Sequence, residues 1–222
     1  MKKLFLLFFI AALSSCSTVN FNACRSDKPI QEIKSNIIPL AVGNEWIYHI
    51  TFPGTQYAPR TQTVEIGEIT ELMYYNAGEQ YYIDAYSTII NDEKSFRYYL
   101  LCDEAVTVAE IGNHTNKAII SSMTIYEKFK KGLVDPNNDQ LVWAGIEQVK
   151  TVAGNFECYV LHKLSHVSNN DAANNPGKIY RDRKFISAKF YYSPAVGFVK
   201  SVFFHVSGAE INVVELKSYT LK

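Results

Sequence analysis

Residues 43–52 read Gly43-Asn44-Glu45-Trp46-Ile47-Tyr48-His49-Ile50-Thr51-Phe52. After the Gly43-Asn44 turn, large apolar side chains recur at Trp46, Tyr48 and Ile50, a period of two that belongs to a strand. One face of this strand is aromatic and apolar, and Glu45, Ile47 and His49 take the other. Nine further segments continue the theme downstream, and a tenth is ambiguous. The ranges 60–72, 80–90, 94–102, 105–111, 145–152, 157–166, 188–192, 197–205 and 211–221 read as strands, and 118–129 fits neither period cleanly. Turn-forming phrases such as Asn76-Ala77-Gly78, Asn91-Asp92 and Pro136-Asn137-Asn138-Asp139 separate them. Gly67 interrupts a strand pattern and marks a candidate bulge. Fifteen Tyr and thirteen Phe add to the strand preference. No segment offers a long amphipathic helix, although short ones fit 25–38 and 180–188. The expectation is an all-β, mainly antiparallel domain over residues 37–222: a strongly curved sheet or incomplete β-barrel.

Upstream of that domain the chain changes character. Lys2 and Lys3 precede a ten-residue apolar run, Leu4 to Leu13. A run of ten is too short to span a bilayer, which takes about 20 helical residues, but it suits the core of a cleaved signal peptide. Leu13-Ser14-Ser15-Cys16 looks like the lipobox of bacterial lipoproteins, which makes residues 1–15 the signal peptide and Cys16 the acylated first residue of the mature chain. Acyl chains contribute about 0.8 kcal/mol per buried methylene, so two or three anchor a chain durably. Ser17 is not the Asp associated with inner-membrane retention, which points to the periplasmic leaflet of the outer membrane. Residues 16–36 are polar, lack periodicity and read as a lipidated tether, with a coil reach of about 25 Å.

The chain balances 22 basic with 22 acidic residues; losing Lys2 and Lys3 leaves a formal charge of −2 on the mature part. That is not the basic field nucleic-acid binding requires. Chemistry-bearing motifs are equally thin. His162 and His166 stand four apart, which on a strand puts them about 13 Å from one another, too far to share a zinc ion. No Gly-x-Ser-x-Gly elbow and no Cys-x-x-Cys occurs. With Cys16 acylated, Cys24, Cys102 and Cys158 remain; Cys102 and Cys158 form a bridge in an oxidising periplasm or stay as two buried thiols. Neither a catalytic residue, a metal site nor a cofactor is expected.

Three phrases resemble the TapB-like periplasmic lipoproteins, a family related in fold to the lipoprotein carriers LolA and LolB. They are Pro39-Leu40-Ala41-Val42-Gly43-Asn44-Glu45-Trp46-Ile47-Tyr48, Val152-Ala153-Gly154-Asn155-Phe156-Glu157-Cys158-Tyr159 and Tyr191-Tyr192-Ser193-Pro194-Ala195-Val196-Gly197-Phe198-Val199-Lys200, with Glu215-Leu216-Lys217-Ser218-Tyr219 closing the set. Val152 stands where the family phrase usually carries Pro. The resemblance implies an incomplete barrel whose concave face holds an apolar ligand such as a lipid, and it brings no catalytic residues. Trp46, Tyr48, Ile50 and Tyr82 are then the candidate lining of that face. The alternative is a structural or protein-interaction subunit of an envelope assembly, with no small-molecule ligand.

Overall fold

The computed structural model describes residues 38–76, 78–102, 105–126, 134–135, 138–166, 184–194 and 196–222. The expected signal peptide (1–15) and tether (16–36), and the polar stretch 168–177, lie outside the described residues. Twelve strands run in chain order: β1 (Glu45–Thr51), β2 (Arg60–Asn76), β3 (Glu79–Ile90), β4 (Glu93–Cys102), β5 (Ala105–Ile111), β6 (Ile119–Tyr126), β7 (Val134–Asp135), β8 (Asn138–Thr151), β9 (Gly154–His166), β10 (Lys184–Ser193), β11 (Gly197–Phe204) and β12 (Glu210–Thr220). They form one antiparallel sheet in the order β6-β5-β4-β3-β2-β1-β12-β11-β10-β9-β8-β7. Consecutive strands pair except β6 with β7, and β1 joins β12, so among the described residues β6 and β7 are the edges. The all-β, curved and unclosed sheet expected from the sequence is present. No helix occurs among the described residues, and 184–188, a candidate helix by sequence, is the start of β10. The ambiguous 118–129 segment contains β6, and Asn138-Asp139 open β8 rather than extending a loop.

Alternation makes β1 what it is. Trp46, Tyr48 and Ile50 are buried, while Glu45, Ile47, His49 and Thr51 are half-buried on the other side. The same face continues through Val64 and Ile66 of β2, Tyr86 of β3, Tyr99 and Leu101 of β4, and Val106 and Val108 of β5. From the other direction β9 to β12 add Leu161, Phe190, Val199 and Leu216. Curling of the sheet brings these strands face to face around one main core. Turn chemistry sets the registers: Asn91 and Asp92 both take positive φ (51° and 66°) between Ile90 and Glu93, the geometry of a two-residue hairpin with the sheet's own twist.

A bulge then lets part of the sheet bury both faces. Ile66 pairs with Thr88 and Ile69 with Tyr86, so Gly67 and Glu68 share one partner, Ser87. A Cβ on Gly67 would lie 2.5 Å from Ser87 Oγ, which donates instead to the Glu68 carbonyl at 2.8 Å. Gly67 is therefore the residue the bulge needs. The extra residue reverses the parity of β2: before it Val64 and Ile66 face the main core, after it Ile69 does, while Leu72 and Tyr74 turn to the opposite side. There they meet Ile83, Ala85, Tyr98, Leu100, Ala109 and Ile111 in a second core. The Met73 amide donates to the Lys117 carbonyl at 3.1 Å, and Met73 bridges Ala118 in parallel. The far half of β2 thus closes on the start of β6, and β2 to β6 roll up around the second core.

Candidate functional site

The residues the sequence nominated as a ligand-lining face separate in space. Trp46 is 3% exposed, and its Nε1 donates to the Val196 carbonyl at 2.7 Å. Tyr48 is buried, and its hydroxyl donates to the Phe198 carbonyl at 3.1 Å. The Phe198 ring lies 5.4 Å from that of Tyr48 and 5.5 Å from that of Tyr192. Ile50 is buried in the row that crosses Val214, Ser201, Phe190 and Leu161. These three are packed side chains, and the polar atoms of Trp46 and Tyr48 are already used.

Tyr82 is elsewhere. It is 56% exposed, so its placement beside Trp46, Tyr48 and Ile50 does not hold. Tyr82 pairs with Met73 on the segment beyond the Gly67 bulge, which carries it past the end of the main core onto the outside of the β2–β6 roll. Tyr82 keeps the face of Tyr86 on β3, but the main core ends before it is reached.

A half-buried polar centre lies at one side of the main core. Arg97 and Glu110 are cross-strand partners on β4 and β5, with Nη2 3.5 Å from Oε1. Tyr99 and Tyr192 lie within electrostatic reach of Arg97, and both sit near Tyr48. Burial pushes all three phenols above their ordinary range, the Tyr48 hydroxyl raised further by Tyr99 and Tyr192 and the others tempered by Arg97. They are neutral hydrogen-bonding groups at any physiological pH. Sequence reading missed this cluster because Tyr48 on β1, the Arg97/Tyr99 pair on β4 and Tyr192 on β10 are distant in the chain.

Cys158 is a free and fully buried thiol, so the Cys102–Cys158 bridge is not formed. Its Sγ contacts the carbonyl of Phe156 on its own strand at 3.8 Å. Burial, then Glu147 and Glu157, push the thiol up to about 12, so it is not a nucleophile at neutral pH. His162 and His166 both lie on β9, at the separation a strand imposes; burial lowers the pKa of His162, with Lys189 adding to the effect.

The feature that sequence reading did not single out is on the outer surface. Tyr75 (65% exposed), Tyr82 and Ile120 (67% exposed) stand on β2, β3 and β6. Tyr75 pairs with Gln80, two residues from Tyr82, and the Met73–Ala118 bridge brings β6 alongside. Their β6 neighbour Ile119 packs into the second core, which leaves Ile120 pointing the other way. The outside of the roll therefore carries three large apolar side chains close together.

No protein-family profile matches the chain, and no curated protein does. The TapB-like resemblance stands on its short phrases alone. Among solved structures, a protein assigned as a lipoprotein from Parabacteroides distasonis is 12% identical with a TM-score of 0.48, over 86% of this chain and all of that one. A protein assigned as exported, with a YmcC-like fold, from Bacteroides fragilis is 10% identical with a TM-score of 0.47, over 84% of this chain and 99% of its own. At that identity and TM-score the likeness bears on neither fold nor function.

Proposed function

We propose that the protein is a lipid-anchored, non-catalytic lipoprotein of the cell envelope that works by contact with another protein. The anchor rests on Lys2-Lys3, the apolar run 4–13 and Cys16 behind Leu13-Ser14-Ser15; the outer membrane is the address that Ser17 favours. The observation that carries the interaction reading is the exposed group Tyr75, Tyr82 and Ile120 on the β2–β6 roll. Contiguous exposed apolar groups mark contact surfaces, and tyrosine is enriched in them. Against an apolar-ligand carrier stands the packing of Trp46, Tyr48 and Ile50, the residues that would have lined its concave face. Native mass spectrometry of the acylated chain extracted from membranes tests the choice. A mass equal to polypeptide plus covalent lipid, together with a site-specific cross-link from Tyr82 to one protein of defined mass, is expected. A retained non-covalent lipid and no cross-link would restore the carrier reading.

A further inference from the structure

Several apolar side chains outside both cores gather at one end of the sheet, the end where the chain enters the domain. Ile38 and Pro39 lie against Gly197, their atoms 3.5 and 3.4 Å from where its Cβ would be. Buried Asn44 holds this corner: Nδ2 donates to the Pro39 carbonyl at 2.6 Å, and Oδ1 accepts from the Lys222 amide at 2.7 Å. The Lys222 side chain lies over Gly43, beside Val42. The turn between β8 and β9 reaches the same corner, because the Phe156 ring meets that of Tyr219 at 6.2 Å, and Tyr219 is opposite Trp46. Val152 at the tip of that turn is 81% exposed, and Val42, Tyr219 and Leu221 are exposed with it. Lys150 and Lys222 stand exposed at the rim, while Glu45 and Glu65 are half-buried on the wall behind.

From this placement we infer that the Val42–Val152–Leu221 end of the sheet is seated on the bilayer surface that holds the anchor. The inference rests on the Cys16 reading. Twenty-one residues, 17–37, separate Cys16 from the described chain, and a coil of that length has a reach of about 25 Å. The opposite end of the sheet, at the turn after β11, lies a strand length further away, about 20 Å for β1 alone. The end at Ile38 is therefore the one that spends most time at the lipid, and it is also the one with a protruding aliphatic tip and flanking lysines. Aliphatic side chains there enter the acyl boundary, and lysines suit anionic head groups. At the other end the exposed Tyr57 packs edge-on against Phe52, 5.8 Å away, Ile211 at the start of β12 is 40% exposed, and the turn before it reads Ser207-Gly208-Ala209, with no lysine in it.

The test uses the full acylated chain with Cys24→Ser, carrying an environment-sensitive fluorophore on Val152→Cys or on Ser207→Cys; the chain with no added thiol gives the background. Each is reconstituted in vesicles of phosphatidylethanolamine and phosphatidylglycerol with brominated acyl chains, and flotation is scored first. The expected result is flotation of both, with the label at 152 quenched at least twofold more than the label at 207. Flotation with equal quenching at both positions, or with none at either, would overturn the seating and leave the anchor intact. Failure to float would remove the anchor reading and the seating together.

Discussion

Trp46→Ala separates a packed core from a ligand pocket more sharply than any other single change. The indole is 3% exposed, its ring sits in the main core with Tyr48 and Ile50, and its N–H is spent on the Val196 carbonyl. Cutting a buried Trp to Ala removes about 3–5 kcal/mol through lost transfer energy and the cavity left behind. Here the Val196 carbonyl also loses its donor, which places the cost in the upper part of that range. A domain of this size shifts its melting temperature by about 2–4 °C per kcal/mol, so the drop is about 8–20 °C. That is a large share of a total stability of roughly 5–15 kcal/mol. Trp46→Phe keeps most of the apolar volume but not the donor, and costs about 2 kcal/mol. Thermal unfolding followed by far-ultraviolet circular dichroism of the mature chain reads both. A Trp46→Ala protein melting within 2 °C of wild type would refute the reasoning and make Trp46 a pocket wall.

Three other changes probe independent parts of the molecule. Asn44→Ala leaves the Pro39 carbonyl and the Lys222 amide without their partner; a loss of about 2–3 kcal/mol and faster hydrogen exchange at 39–45 and 219–222 are expected, and unchanged exchange there would deny Asn44 its clasp role. Ser201 is fully buried, and among the described residues its Oγ has no hydrogen-bond partner; Ser201→Ala should leave stability equal or raised, because an unsatisfied hydroxyl is costly to bury, and a drop of more than about 2 kcal/mol would reveal a bond. The Cys158 thiol, pushed up to about 12 from an ordinary value near 8.5, should resist iodoacetamide at pH 8 in the native protein and react fully in denaturant. Because the folded chain keeps a proton that the unfolded chain releases above about pH 8.5, its contribution to stability falls as pH rises from there; Cys158→Ala should flatten that part of the stability profile.

What the sequence revealed and what it hid both follow from the period of two. Along β1 nothing interrupts the pattern before the strand ends, so Trp46, Tyr48 and Ile50 are read correctly as one buried face. β5 was legible to the residue for a similar reason, since its sequence runs from Ala105 to Ile111 between the polar pair Asp103-Glu104 and the Gly112-Asn113 phrase. The boundaries of β8 and β10 were too short by sequence, because the polar openings at Asn138-Asp139-Gln140 and Lys184 lead into unbroken apolar runs, Leu141-Val142-Trp143 and Phe185-Ile186, that do not alternate. Gly67 was visible as a bulge, but its consequence was not. One extra residue moves every later side chain of β2 to the other face, and only the pairing with β3 says that the other face is also buried.

Tyr82 stands apart from Trp46, Tyr48 and Ile50 because of where the main core ends along β3. On β3 the run Ala85, Tyr86, Ser87 and Thr88 is buried without alternation, which read alone suggests a fully enclosed strand rather than a half-exposed one. It is where the main core and the second core lie back to back across one sheet. Going toward the β2–β3 turn the main core ends, and the face that buries Tyr86 emerges into solvent at Tyr82 while the face bearing Ile83 stays enclosed. The exposed aromatics are therefore a product of the roll: closing β2 onto β6 buries Leu72, Tyr74 and Ile119, and the same closure turns Tyr75, Tyr82 and Ile120 outward together. A variant that opens the roll should lose the contact surface without unfolding the main core. Deleting the donor at the Met73–Lys117 bridge by Met73→Pro is such a variant, because proline has no amide to give. Its expected signature is loss of the Tyr82 cross-link with the Trp46 fluorescence melt retained. Retention of the cross-link would show that the partner reads something other than the roll.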